Sequence, residues 1–220
     1  MITSPPELYT ALTDLLTVPF AVYFAVKCIS LFKKTSKTGI IVFSALFGAM
    51  ALSSFIGFIA HFFKFSDSVK GVLWVPLSFL MCVTATLLCM QASSELFDKK
   101  HIKKITVFMT SVCILGFTAM MIGKAMNIKY ILIFVFYAVF VVNTGLIMYI
   151  ITLVKYKKRY VLYYFCGCAV QALGAVFQIT RNVYINIGIE IDYNSIYHVL
   201  NIISLFPFYI GALRSASGQE

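Results

Sequence analysis

The chain has 220 residues, of which 61% are hydrophobic and only 12% charged. Soluble domains are about 45–50% apolar, so this composition excludes a single water-soluble core and indicates a membrane protein. The net charge of +10 lies in short basic clusters between long apolar runs, which points to anionic lipid headgroups rather than nucleic acid as the partner.

A hydrocarbon layer of about 30 Å takes roughly 20 helical residues to cross. A backbone in lipid must satisfy its own hydrogen bonds, so each long run is read as a helix. Seven runs qualify, at about 8–32, 39–63, 72–94, 105–124, 130–154, 160–184 and 194–213. The expected fold is all-α, an integral membrane bundle of seven transmembrane helices, with residues 1–220 forming one domain.

The first run follows "MITSPPELYT", which lacks the basic leader and small-residue cleavage site of a signal peptide, so it is expected as a mature helix. It carries Asp14 in "ALTDLLTVPF". The second ends in "SSFIGFIAHFFKF", with Ser54 and Gly57 on the face of His61. The third, "GVLWVPLSFLMCVTATLLCM", has no Asp, and His101 in the following "DKKHIKK" is a loop residue. The sixth, "GCAVQALGAVFQITRN", aligns Gly167, Gln171, Gly174, Gln178 and Arg181 in one stripe. The seventh, "DYNSIYHVLNIISL", puts Asn194, His198 and Asn201 on one face and has no lysine, which excludes retinal Schiff-base chemistry. The six cysteines fall within or beside these runs and read as small hydrophobes.

Loop charge sets the orientation. Lys27, Lys33, Lys34, Lys37, Lys99, Lys100, Lys103, Lys104, Lys155, Lys157, Lys158, Arg159 and Arg214 fall on one side. The other side has only Lys64, Lys70, Lys124, Lys129 and Arg181. The positive-inside rule then places the N-terminus outside and the C-terminus in the cytoplasm, with the cell membrane as the expected location. At 1.5 Å per residue, Asp14, His61 and His198 stand roughly 28, 33 and 24 Å above the cytoplasmic boundary. An acid and two imidazoles therefore share one level in the outer leaflet, whereas the inner halves of the runs are poor in ionisable groups.

Polar groups inside a span are costly and are functional candidates, with interhelical hydrogen bonding as the competing role. Asp14, for example, could simply pair with Arg181. A carboxylate and two imidazoles suit zinc or iron, and an open fourth position activates water for hydrolysis. Gln171, Gln178, Arg181, Asn194 and Asn201 are the expected ligand-contacting residues around that group. A carrier would show polar residues reaching the inner half and paired broken helices; apart from Pro76 and Pro207 the sequence has neither.

"GFIAH" at 57–61 and "NSIYH" at 194–198, set in seven runs without a soluble domain, resemble the superfamily of alkaline ceramidases and progestin and adiponectin receptors. These seven-helix proteins hold zinc with one His on helix two and two on helix seven. "TDLL", the "G…H" end of helix two and "DYNSIYHVLN" also look like a family of uncharacterised bacterial seven-helix proteins grouped near that superfamily. The resemblance implies a zinc site with His61 and His198 as ligands. It departs at three places: Gly57 stands where the hydrolase pattern has Ser, Asn194 where it has the first helix-seven His, and helix three lacks the Asp. Asp14 is then the expected third ligand.

The expected function is metal-dependent hydrolysis of a lipid amide or ester, with Arg181 on an anionic headgroup or the oxyanion. The alternative is a receptor-like membrane protein that binds a lipid or small ligand without catalysis.

Overall fold

Proline and serine set the first helix. In the computed structural model, which describes residues 4–126, 128, 130–180, 183–186 and 190–218, Ser4 is extended and Pro5 and Pro6 occupy the opening positions of α1, Pro5–Thr35. Proline is suited to that place because the N–H it lacks would have no intrahelical partner. Lys33 and Lys34 face the negative end of the helix dipole. Ser36, in the left-handed region at φ 53°, ends α1 and donates its N–H to Phe32 O at 2.8 Å.

Very short connections lead on to α2 (Thr38–Phe62), α3 (Asp67–Leu96), α4 (Lys99–Ala125), α5 (Tyr130–Tyr156) and α6 (Val161–Thr180). A hairpin of β1 (Tyr184–Asn186) and β2 (Glu190–Asp192) precedes α7 (Tyr193–Ser217), which Gly218 stops at φ 68°. The architecture among the described residues is an all-α bundle of seven long helices, each apolar and long enough to cross a membrane.

The expected run 160–184 overreaches: α6 is described over Val161–Thr180, and Tyr184 begins a strand paired with Asp192. The reason is legible in the sequence. Val183, Ile185, Ile187, Ile189 and Ile191 alternate with Tyr184, Asn186, Gly188, Glu190 and Asp192, a period of two that suits a strand and not a helix. The hairpin is antiparallel, with Ile185 opposite Ile191, and β2 packs on α1 and α7.

The main core lies between α1, α2, α6 and α7. The rings of Phe24, Phe47, Phe43 and Phe208 follow one another at centroid separations of 5.7, 5.9 and 5.7 Å. These buried side chains form an aromatic layer where α1, α2 and α7 meet. Smaller clusters join α3 to α4 and α5 through Cys82, Cys89, Met109, Cys113, Met120 and Val141. All six cysteines are free, and all but Cys166 are buried, as expected of small hydrophobes.

Beyond the aromatic layer, at the end opposite the N-terminus, the last turns of α3 bury a polar knot that the sequence reading missed. The Glu95 side chain is 9% exposed. It accepts from Tyr160 Oη at 2.7 Å and from Gln91 Nε2 at 3.1 Å, and Lys158 Nζ stands 3.5 Å from its Oε2. Tyr149 in turn donates to Gln91 Oε1. Gly39 makes the knot possible, because a Cβ there would lie 2.7 Å from Ser94 Oγ and 3.0 Å from Glu95 Oε1. Helices α2, α3 and α5 and the connection leading into α6 thus meet at one point. This end of the bundle therefore does bury an ionisable group, placed just past the expected boundary at 94.

Tyr149→Phe should leave the buried Gln91 carbonyl without its donor and lower stability by about 1 kcal/mol. Thermal unfolding in detergent checks this; an unchanged midpoint would remove the knot as a stabilising feature.

Candidate metal centre

Asp14, His61 and His198 come from three helices and meet. Asp14 leaves α1, His61 is next to last in α2, and His198 is in the second turn of α7. Antiparallel neighbours bring the start of α1, the end of α2 and the start of α7 to the same end of the bundle. One donor atom from each of the three residues lies within 4.8 Å of the others. Asp14 Oδ1 is 3.0 Å from His198 Nδ1, and the two imidazole centroids are 6.3 Å apart at 68°. The Asp14 side chain is 2% exposed, His61 12% and His198 14%.

Gly57 admits the acid. A Cβ at position 57 would lie 2.5 Å from Asp14 Oδ2 and 3.0 Å from its Cγ, so the carboxylate occupies the volume of a missing side chain. Asp14 therefore sits where a serine at 57 would have to go.

A polar latch one helical turn away fixes α7 against α1. Asp192 caps α7, accepting from Ser195 N and Ser195 Oγ, both at 2.8 Å. Ser195 Oγ is 3.1 Å from Thr10 Oγ1, which also donates to Asp192 Oδ1 at 3.4 Å. Thr10 is one turn from Asp14 on α1, and Ser195 is one turn from His198 on α7. The latch thus sets the register in which acid and imidazole face each other.

The remaining sequence-predicted residues are placed as follows. Gln178 Nε2 donates to Asn194 Oδ1, joining α6 to α7. Gln171 Nε2 reaches Met50 Sδ at 4.0 Å, and the Asn201 backbone carbonyl accepts from Ser204 Oγ at 2.7 Å within α7. Arg181, and with it the proposed pairing to Asp14, lies outside the described residues. Two contacts of His61 were not anticipated: Glu7 Oε2 at 2.5 Å from Nδ1, and the Trp74 ring at a centroid distance of 6.2 Å. The only hint of Glu7 in the sequence is an acid in a first turn, which also serves the helix dipole.

The donor set fits a divalent transition ion. Bonds of about 2.0–2.2 Å in a tetrahedral site put ligand atoms roughly 3.3 Å apart. The Asp14–His198 contact is already near that value, and the widest separation would have to close by about 1.5 Å. Asp14 Oδ2 is buried with no hydrogen-bond partner among the described residues. A buried carboxylate oxygen left so is costly, and a cation would satisfy it.

Seven long apolar helices with one carboxylate–imidazole group define an all-α bundle of the multi-pass type with a potential metal-binding centre. The chain belongs to a family of unknown function, DUF6962, whose model matches residues 9–217. No curated protein and no solved structure matches it. The likeness to the alkaline ceramidases and the progestin and adiponectin receptors, and the bacterial family suggested with it, gain no support from these comparisons.

Gly57→Ser should destabilise the protein by about 1–3 kcal/mol through overpacking against Asp14. Adding Asp14→Ala should return most of that loss, a coupling that unfolding of the single and double variants measures. Strict additivity would mean that the carboxylate does not occupy the space beside position 57.

Proposed function

We propose that this is a multi-pass membrane protein, N-terminus outside and C-terminus in the cytoplasm, that binds zinc or iron through Asp14, His61 and His198. We further propose that it uses this site to hydrolyse a lipid amide or ester. The observation that carries the reading is the convergence of three donor atoms from three helices within 4.8 Å of one another, with Asp14 Oδ2 buried beside them and without a partner among the described residues. Three protein ligands leave a position for water or a substrate carbonyl. A divalent ion held there would supply Lewis acidity, polarising the carbonyl and making water a nucleophile near neutral pH.

The chain's own residues set the rest. Asp14 adds a carboxylate to the two imidazoles and is fixed by Gly57 and by the latch. His61 and His198 retain some exposure, so the group can be approached. Depth favours a lipid substrate. The group lies within a few turns of the helix ends, the level at which the linkage between acyl chain and headgroup would present itself. Arg181, which follows α6 in sequence, is proposed to meet an anionic headgroup or the developing oxyanion.

Metal analysis of the purified protein tests the reading. Stoichiometric zinc or iron is expected in the wild type and its loss in His61→Ala and His198→Ala, alongside turnover of lipid amides or esters that metal chelation abolishes. A metal-free wild type would end the metal reading. Bound metal without turnover would leave the non-catalytic, ligand-binding alternative.

A further inference from the structure

We infer that Glu7 is a positioning residue for the metal centre: its carboxylate holds the His61 ring by Nδ1, so that Nε2 is the nitrogen presented to the metal. The inference rests on the metal reading above and adds to it a residue outside the ligand set.

Glu7 sits in the first turn of α1, behind the two prolines that start the helix, where the positive end of the dipole favours a carboxylate. From there it reaches the last turn of α2, and its Oε2 lies 2.5 Å from His61 Nδ1. Imidazole has two ring nitrogens, and in the neutral form one carries the proton while the other carries the lone pair. A carboxylate at hydrogen-bond distance from Nδ1 demands the proton there, which leaves the lone pair on Nε2. Metal-binding imidazoles commonly have such a partner behind them; it fixes the tautomer and ring orientation and raises ligand basicity.

Two further observations fit this role. The mutually close donor atoms belong to Asp14, His61 and His198, and Glu7 is not among them although it bonds one of the three. The His61 ring is also bounded by Trp74 at 6.2 Å and by His198 at 6.3 Å, both near edge-on, so three neighbours determine its orientation. Asp14 bonds His198 in a similar way but is itself one of the three donors. Glu7 is 40% exposed and is free of that double duty.

The protein has only three histidines, His61, His101 and His198, so ¹⁵N-histidine spectra of the full chain in detergent can be assigned by single substitutions. Zinc is the probe. In the wild type, Nδ1 of His61 should be protonated before and after zinc is added, and Nε2 should be the nitrogen whose signal moves. Glu7→Ala should keep the one-to-one stoichiometry while weakening zinc binding about 10–100-fold. Glu7→Gln, whose amide oxygen still accepts from Nδ1, should recover most of the affinity.

Wild-type affinity in Glu7→Ala, or coordination of zinc through His61 Nδ1, would overturn the role of Glu7 and leave the metal site standing. A wild type that takes up no zinc would overturn the metal reading itself. If Glu7→Ala does not fold, the choice of nitrogen in the wild-type spectrum decides alone.

Discussion

An ionisable side chain sunk between apolar helices needs room and a partner, and one end of this bundle is arranged to give Asp14 both. Room comes from Gly57, whose missing Cβ leaves the space the carboxylate fills. The partner is His198, at 3.0 Å. Each requirement recruits a different helix, so a single buried acid couples the packing of α1 on α2 to the register of α1 on α7. Without the close approach at Gly57 the carboxylate would have to turn toward lipid or lift the helices apart. Without the Thr10–Ser195–Asp192 latch, α7 could slide along α1 and take the imidazole with it. The centre is therefore a consequence of how three helices fit together, and its geometry is as rigid as their contact.

The opposite end solves the same problem with another set of groups. The Glu95 carboxylate is surrounded by donors, Gln91 beside it on α3 and Lys158 and Tyr160 in the connection between α5 and α6. All of its partners carry protons to give. Asp14, by contrast, keeps one oxygen with no donor among the described residues. A carboxylate enclosed by donors is a structural fixture, whereas one left partly unsatisfied beside two imidazoles is ready to accept a cation. This difference distinguishes the two buried acids more clearly than their depth does.

Depth was legible in the sequence and azimuth was not. The rise per residue and the basic loops place Asp14, His61 and His198 on one level, because height along a helix follows from counting. Which face of α1 meets which face of α2 depends on packing choices that a single chain's pattern does not specify. Glu7, just ahead of the expected first run, was passed over for this reason, and Gly57 read as the loss of a serine although it is the space for an acid. Glu95 was passed over because it stands one residue beyond the expected end of helix three, where an acid is usually solvated. The hairpin was legible in principle: the alternation from Val183 to Asp192 is a strand signal, but a reading by apolar run length carried the sixth helix through its beginning.

The aromatic layer of Phe24, Phe47, Phe43 and Phe208 separates these two polar ends. Its rings offer neither donors nor acceptors, so each buried acid depends on its own partners: His198 and the space at Gly57 for Asp14, and Gln91, Lys158 and Tyr160 for Glu95. Among the described residues the two acids share no hydrogen-bond partner, so a substitution at one end changes the polar contacts of that end alone.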